Sequence, residues 1–484
     1  MTHEHVDVLI VGAGISGIGA GYHLLANCPK RSFAILEGRD DIGGTWDLFR
    51  FPGIRSDSDM YTLGYAFRPW TGEKAIADGP SILAYLRETA RAYGIDRKIR
   101  FGYQVKRASW SSETAQWAVE AERVASGETV RLTCGFLFMC CGYYDYAEGY
   151  TPDFEGVTRY AGRIVHPQKW TEDIEFAGKR VVVIGSGATA VTLVPALAKE
   201  AAHVTMLQRS PTYVVARPSV DGTAAWLRRY LPARLAHGLT RWKNVLLGMY
   251  FFNLCRRNPR RAKAMIARGV KQALGPDFDV STHFTPRYNP WEQRLCLVPD
   301  GDLFKAIRQQ RVSVVTDHID TFTETGLKLR SGIELQADLV VTATGIKLQV
   351  LSGLEIAVDG ATVDPAGRFT YKGMMYSDVP NFASSFGYTN ASWTLKSDLT
   401  CAYVCRLLNH MENTGARMCM PRVRDADMAA EAWVDFSSGY FQRALDKLPK
   451  QGTRKPWKLH QNYLYDLLAM RFASVEDDAM EFSR

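Results

Sequence analysis

Two glycine-rich turns, each followed at a set distance by a residue able to read a ribose, carry the first chemistry this sequence offers. One is Gly12-Ala-Gly14-Ile-Ser-Gly17, with Glu37 lying 25 positions beyond Gly12. Glycine at these places permits a tight turn, a close approach of backbone to a diphosphate, and close packing of helix on strand. A carboxylate at position 37 accepts hydrogen bonds from a free ribose. The other turn is Gly185-Ser-Gly187-Ala-Thr-Ala190, and the residues that follow its second strand are Gln208-Arg209-Ser210. There the carboxylate is replaced by an amide with a guanidinium beside it, which removes repulsion from a 2′-phosphate and supplies a forked cation to bind it. The first site therefore favours a plain ribose and the second a phosphorylated one. FAD in the first and NADPH in the second is the pairing that fits.

The elements around each turn support this reading. Residues 6–11 form an apolar strand, a helix follows through residue 25, and a second strand at 32–36 delivers Glu37. The second turn repeats the pattern with strand 180–184, a helix through 197 and strand 203–207. A diphosphate at such a turn meets the unpaired N–H groups and the positive dipole end of the helix. A flavin reduced by NADPH must pass its electrons on. Disulfide reductases do so through a CxxxxC close to the first turn, but no cysteine lies between Cys28 and Cys134. Dioxygen is the other destination.

The stretch Gly43-Gly44-Thr-Trp46-Asp-Leu-Phe-Arg-Phe51-Pro52-Gly53-Ile-Arg-Ser-Asp57 resembles a signature of the type I Baeyer–Villiger monooxygenases, within the flavin-containing monooxygenase superfamily. A second signature of that family is matched by Tyr160-Ala-Gly162-Arg-Ile-Val-His166-Pro-Gln-Lys-Trp170-Thr171, with Tyr in place of the leading Phe and Thr after the Trp. Trp170 favours the Baeyer–Villiger branch over the N- and S-oxidising branch. Ala343-Thr-Gly345 resembles the link between nucleotide-binding units in both. Further blocks, such as Tyr288-Asn-Pro-Trp-Glu-Gln-Arg294-Leu-Cys296 and Gly387-Tyr-Thr-Asn390-Ala-Ser-Trp393, extend the likeness over nearly the whole chain, toward the family's mycobacterial members that act on thioamides. The resemblance implies insertion of one oxygen atom from O2 beside a ketone carbonyl to give an ester or lactone, with oxidation of thioether or thioamide sulfur besides.

The resemblance also implies roles. Arg294 holds the negative charge of the oxidant, for which a permanently charged guanidinium suits better than Lys or His, and Asp57 holds Arg294. An interdomain ion pair and a loop cap are the plain alternatives. His166 reads as a hydrogen-bonded hinge residue, with Gly162 and Trp170 as fingerprint positions. Gly44 belongs to the cofactor turn. Trp46 packs near the flavin or in ordinary core, and Asn390 and Trp393 line the cofactor or substrate cavity or pack in the core. Within enzymes the rival is N- or S-oxygenation by a protonated, electrophilic oxidant. A non-catalytic sensor of FAD and NADP(H) is the rival from another class, and it would need neither the 51–57 nor the 292–296 segment.

The frame follows from the order of motifs: an α/β chain with two Rossmann-like dinucleotide-binding units. FAD is expected on 1–149 and 364–484, with a helix at 395–411 packing back on its sheet, and NADP on 150–363. The chain has 484 residues, 46% hydrophobic and 23% charged, which excludes disorder, collagen and coiled coil. The apolar stretch at 245–255 is too short to span a bilayer. No secretory pattern precedes Val6, and nine scattered cysteines suit reduced thiols and a cytoplasmic placement. Metal spacings such as CxxC or HExxH are absent. Net charge is +8, yet residues 221–275 hold 12 Lys or Arg against one Asp, which leaves the rest of the chain at −3. Without a nucleic-acid reading motif this basic stretch, within a helical insertion at 221–290, reads as a solvated face, or as a functional basic face that makes weak peripheral contact with anionic membrane or guides NADPH.

Overall fold

The computed structural model describes residues 4–484; the first three residues of the expected 1–149 segment lie outside the described residues. Two sheets carry the chain. In the first, Glu4–Val11 lies between Phe33–Glu37 and Glu128–Met139 and runs parallel to both. Its inner residues Val8, Leu9 and Ile10 are fully buried, as a strand covered on both faces requires. Gln116–Arg123 and Tyr103–Ser111 continue this sheet antiparallel on one side, and Ile99–Phe101 closes it on the other. Glu128–Met139 shares its outer edge: the earlier part pairs with Gln116–Arg123, the last three residues with Phe382–Ser384.

The helix Ile15–Asn27 uses Gly17, Ala20 and Gly21 to lie close on this sheet, and Trp393–Thr414, longer than the expected 395–411, packs into the same core. The second sheet has five parallel strands in the spatial order Val312–Thr316, His203–Gln208, Arg180–Ile184, Leu339–Thr342 and Arg163–Val165. The helix Ala188–Leu197 covers it.

The chain leaves the first sheet through Tyr144–Gly149 and returns through Ile346–Leu348, and these two strands pair antiparallel. One stretch departs from the sequence expectation. Residues 355–363, expected in the second unit, instead form a hairpin of Glu355–Val358 and Ala361–Val363 that extends the first sheet along Tyr103–Ser111. The return to the first unit thus comes near residue 346 and not at 364.

The basic insertion is helical, with Gly222–Tyr230, Ala233–Arg257, Pro259–Leu274 and Val280–His283. Although it interrupts the second unit in sequence, its long helix rests on the first. Buried Arg241 donates from Nη1 to the carbonyl oxygens of Tyr61 and Gly64, both at 2.8 Å. Among the described residues no helix is long and apolar enough to cross a membrane.

Candidate active site

A cleft of about 1230 Å³ opens where the carboxyl ends of the parallel strands of the two sheets face each other. That is above the roughly 300–1,000 Å³ of a site for one drug-sized ligand, and it suits two dinucleotides. The first turn forms one wall. Gly12 has φ +103°, and a Cβ there would lie 2.8 Å from the carbonyl oxygen of Cys140. Gly14 starts the helix Ile15–Asn27 with no side-chain cap and no acid in its first turn, so the helix presents its N–H groups to the cleft. Gly17 lies outside the lining; a methyl there would sit 1.8 Å from the Gly12 carbonyl oxygen, so its task is the close approach of helix and turn.

Glu37 lines the cleft with only 7% of its surface exposed. Its Oε2 accepts from the Ala13 N–H at 2.7 Å and its Oε1 from the Arg39 N–H at 3.0 Å. Burial raises its pKa above the ordinary value, and the two backbone donors work against that rise. Each oxygen keeps a lone pair for a hydroxyl. Gly44 faces Gly14 across the cleft floor, and Trp46 lines the wall beside it while packing on the first core. Asp47 steadies this loop through Arg39 (2.5 Å) and Arg50 (3.0 Å).

The second turn forms the opposite wall. Gly185, Gly187, Arg209 and Ser210 all line the cleft, and the helix Ala188–Leu197 likewise begins at an uncapped glycine. Ser186 donates to the Ser210 carbonyl oxygen at 2.9 Å, which fixes the Arg209 backbone near the turn. Ala190, expected in the cofactor site, is instead fully buried in the core beneath the helix, the position Gly17 takes in the first unit.

Arg294 and Asp57, 237 positions apart, meet in the cleft. Arg294 Nε donates to Asp57 Oδ2 at 2.8 Å, Nη2 reaches the same oxygen, and Nη1 donates to the Thr389 carbonyl oxygen at 3.0 Å. Local structure aims the side chain: Glu292 closes a turn by accepting from the N–H and the Nδ2 of Asn289, and the strand Cys296–Pro299 anchors the other end against Val214–Arg217. Burial disfavours the guanidinium charge, but the charge and hydrogen bonds of Asp57 outweigh it and leave the pKa raised. The group is cationic across all ordinary pH.

Several cleft residues went unread in the sequence. Tyr143 stacks on Trp393 with centroids 5.5 Å apart, and Trp393 Nε1 donates to Ser16 Oγ at 2.7 Å. Burial, reinforced by Tyr144, pushes the Tyr143 phenol up, so it stays a neutral donor. Tyr440 and Arg443 close the cleft from the C-terminal segment, with the Arg443 guanidinium 3.5 Å from the Tyr150 ring centroid. A signal existed for Tyr143: residues 140–144 follow directly on the carboxyl end of a parallel strand, where ligands of such sheets bind. For Tyr440 and the Thr389 carbonyl there was none. Cys141 also lines the cleft, but burial pushes its thiol up to about 12, so it is no thiolate nucleophile.

Other expected residues lie outside. Asn390 turns away and donates from Nδ2 to the Gln461 carbonyl oxygen at 2.9 Å, which corrects its placement in the cavity. Gly162 is exposed, and Trp170 is buried in the second core against Phe176. His166 touches both crossings between the units: its Nε2 lies 3.0 Å from the Gly345 carbonyl oxygen, and a Cβ at Gly149 would meet its ring at 1.9 Å. Burial lowers its pKa more than the Gly345 bond raises it, so the ring is neutral near pH 7.

The family model described as flavin-binding monooxygenase-like matches residues 76–236, and one described as an NAD(P)-binding Rossmann-like domain matches residues 10–74. The FAD-containing monooxygenase EthA of Mycobacterium tuberculosis is 53% identical over 99% of this chain and 98% of its own. The chain belongs to the FAD-containing monooxygenase family. The monooxygenase shares its fold with an oxidised steroid monooxygenase bound to NADP, at TM-score 0.80 and 23% identity over 99% of this chain and 100% of that one. It also shares it with cyclohexanone monooxygenase from Rhodococcus sp. Phi1 bound to NADP+, at TM-score 0.74 and 22% identity over the full length of both.

Proposed function

We propose that this monooxygenase is a Baeyer–Villiger enzyme that uses FAD and NADPH to convert a ketone, O2, NADPH and a proton into an ester or lactone, NADP+ and water, and that it also oxidises thioether or thioamide sulfur. The observation that carries this reading is the Arg294 guanidinium, fixed in the cleft wall by Asp57 and the Thr389 carbonyl. When bound, FAD and NADPH supply the hydride transfer and the activation of dioxygen. The residues present fit both groups. Gly12, Gly14 and the start of the helix Ile15–Asn27 hold a diphosphate, and Glu37 accepts from the ribose hydroxyls of FAD. Gly185 and Gly187 do the same for NADPH, with Arg209 taking its 2′-phosphate.

Attack of an oxygen nucleophile on a carbonyl concentrates negative charge at one place. A preorganised cation there lowers the barrier without having to reorient. Arg294 meets the requirement because its three hydrogen bonds leave it little freedom and Asp57 secures its charge. Tyr143, Trp393 and Trp46 make the wall that keeps bulk water off. His166 takes no proton-transfer role in this scheme; it links the two crossings as a hinge contact, with Gly162 and Trp170 shaping the segment around it.

FAD is assigned to the unit formed by the segment up to about residue 149 and the C-terminal return, and NADPH to the unit between them. A cytoplasmic placement, with no more than peripheral contact at the inner membrane face, accords with this reading. Mass-spectrometric analysis of a ketone and sulfide panel for gain of one oxygen tests the function, with esters expected from ketones and sulfoxides from sulfides. Sulfoxides without any ester assign an electrophilic N- or S-oxygenase instead. Anaerobic hydride uptake with no oxygenated product in air assigns a redox sensor.

A further inference from the structure

Among the described residues 18 large hydrophobic side chains are exposed, and 12 of them fall within 226–265 and 464–472. On the helix Ala233–Arg257 the exposed Leu235, Leu239, Trp242, Leu246 and Tyr250 recur in steps of three or four residues, which puts them on one stripe. The opposite face of that helix, with Ala236, His237, Thr240 and Arg241, is buried against the first unit. The stripe therefore looks outward. Its apolar surface does not end with the helix: the Trp242 ring meets the Tyr463 ring at 5.9 Å, and from there the segment 464–472 adds Leu468 at 61% and Phe472 at 67% exposure. Trp226 and Tyr230, 61% and 62% exposed and with ring centroids 5.4 Å apart, lie on the preceding helix, which packs against this one. An apolar face of this continuity on a water-exposed surface signals a partner.

The charges around it identify the partner. Of the cations in 221–275, Lys243 pairs with Asp221, Arg256 pairs with Asp435, and Arg241 is buried. Arg229, Arg234, Arg257, Arg260, Arg261 and Lys263 have no carboxylate within 4.0 Å among the described residues. By helical spacing Arg234 flanks the stripe and Arg257 lies at its C-terminal end. A second copy of this face would set its unpaired basic rim against like charge and is disfavoured. A bilayer with anionic headgroups is complementary to the basic rim, takes the leucines into its outer acyl layer and holds Trp and Tyr at headgroup level.

We propose that this face, from the helix Ala233–Arg257 across to the 464–472 segment, docks the monooxygenase on an anionic bilayer surface. The proposal rests on the peripheral placement given above and deepens it by naming the surface. The same helix turns Val245 inward onto Tyr388 and Leu395, and Tyr388 lines the cleft. The docked face is thus one helix away from the cavity wall.

The test uses the full-length, flavin-loaded protein and vesicles of phosphatidylcholine with or without phosphatidylglycerol. Co-sedimentation is expected to be at least about tenfold stronger with phosphatidylglycerol and to weaken as salt rises, since exposed charges are screened over about 10 Å at 0.1 M. The combined substitution Leu239→Ser, Leu246→Ser and Phe472→Ser is expected to lower binding at least about tenfold while leaving flavin content and the turnover of a water-soluble ketone unchanged. Brominated lipid is expected to quench part of the wild-type tryptophan fluorescence, a readout that needs no variant. Absent binding at low salt, equal binding by wild type and variant, or no quenching overturns the proposal. So does a concentration-dependent dimer that the same substitutions dissolve, because the face then belongs to a second copy. None of these outcomes touches the ester assay, so the catalytic reading is judged separately.

Discussion

Removing the Arg294 charge is the sharpest test of the catalytic reading. At about 4 Å and an effective dielectric near 20, a unit charge stabilises an opposite charge by about 4 kcal/mol. The Arg294 side chain is 30% exposed, so solvent screening reduces this toward about 3 kcal/mol. That corresponds to a loss on the order of 10²-fold in ester formation for Arg294→Ala, the lower part of the range of about 10²–10³ for deleting one preorganised donor. Arg294→Lys keeps the charge but loses the fork on Asp57 and the bond to the Thr389 carbonyl, so a loss of about tenfold is expected. The assay follows NADPH consumption, hydrogen peroxide and ester together in each variant. Flavin content should be near normal, because Arg294 belongs to neither glycine turn, and NADPH consumption should continue with peroxide replacing ester. Normal ester yield per NADPH from Arg294→Ala refutes the assigned role, and a Lys variant no better than Ala refutes the emphasis on charge.

Arg209→Ala should raise the KM for NADPH by at least about tenfold with little change for NADH, since one charge-assisted contact is worth roughly 1.5–3 kcal/mol; equal losses for both cofactors would remove the 2′-phosphate argument. Gly17→Ala should yield colourless or insoluble protein, because the added methyl lies 1.8 Å from the Gly12 carbonyl oxygen, and absorbance of the purified protein reports it. His237 is buried with neither ring nitrogen hydrogen-bonded, and burial, reinforced by Arg241, lowers its pKa from 6.5 to about 4. Between those values the unfolded state binds the extra proton, so this group's contribution is complete above pH 6.5 and is lost as pH falls toward 4, up to about 3 kcal/mol. Urea unfolding of wild type and His237→Phe across that window should show a shallower acid loss in the variant.

The local parts of this architecture were legible because short-range chemistry fixes them. A glycine turn between an apolar strand and a helix needs few neighbours to be recognised, and Glu37 lies at the end of the adjoining strand. Arg294 and Asp57 were found by resemblance; no spacing rule joins residues 237 positions apart. The hairpin at 355–363 carries a usable turn signal in Asp359 and Gly360, both at positive φ, yet its parallel partner Tyr103–Ser111 is some 250 residues away, and the strand was placed with the wrong sheet. Ala190 and Asn390 failed for a different reason. Each sits in a motif that faces the cleft, but a helix or loop presents only some of its residues to a ligand, and side-chain direction is set by packing that the motif does not encode.

The paired crossings have a consequence for how this chain could be taken apart. Ile346 stands directly across from Gly149, so the polypeptide re-enters the first unit beside the point where it left. Nearly 200 residues are spliced into a gap that a short turn could close, and closing a short loop costs little entropy compared with a long one. A chain in which such a turn joins 149 to 346 would retain the first turn, Glu37, Asp57 and the covering helix Trp393–Thr414, and would lack Arg209 and Arg294. On the proposed assignment of NADPH to the second unit, that unit is in this sense a cassette: exchange it for a related one that keeps the Arg241 contacts, and reductant preference is expected to travel with the insert. The ion pair between Arg294 and Asp57 is then expected to work as a key, since on the proposed role of Arg294 an exchanged cassette must return a guanidinium to Asp57 to support ester formation.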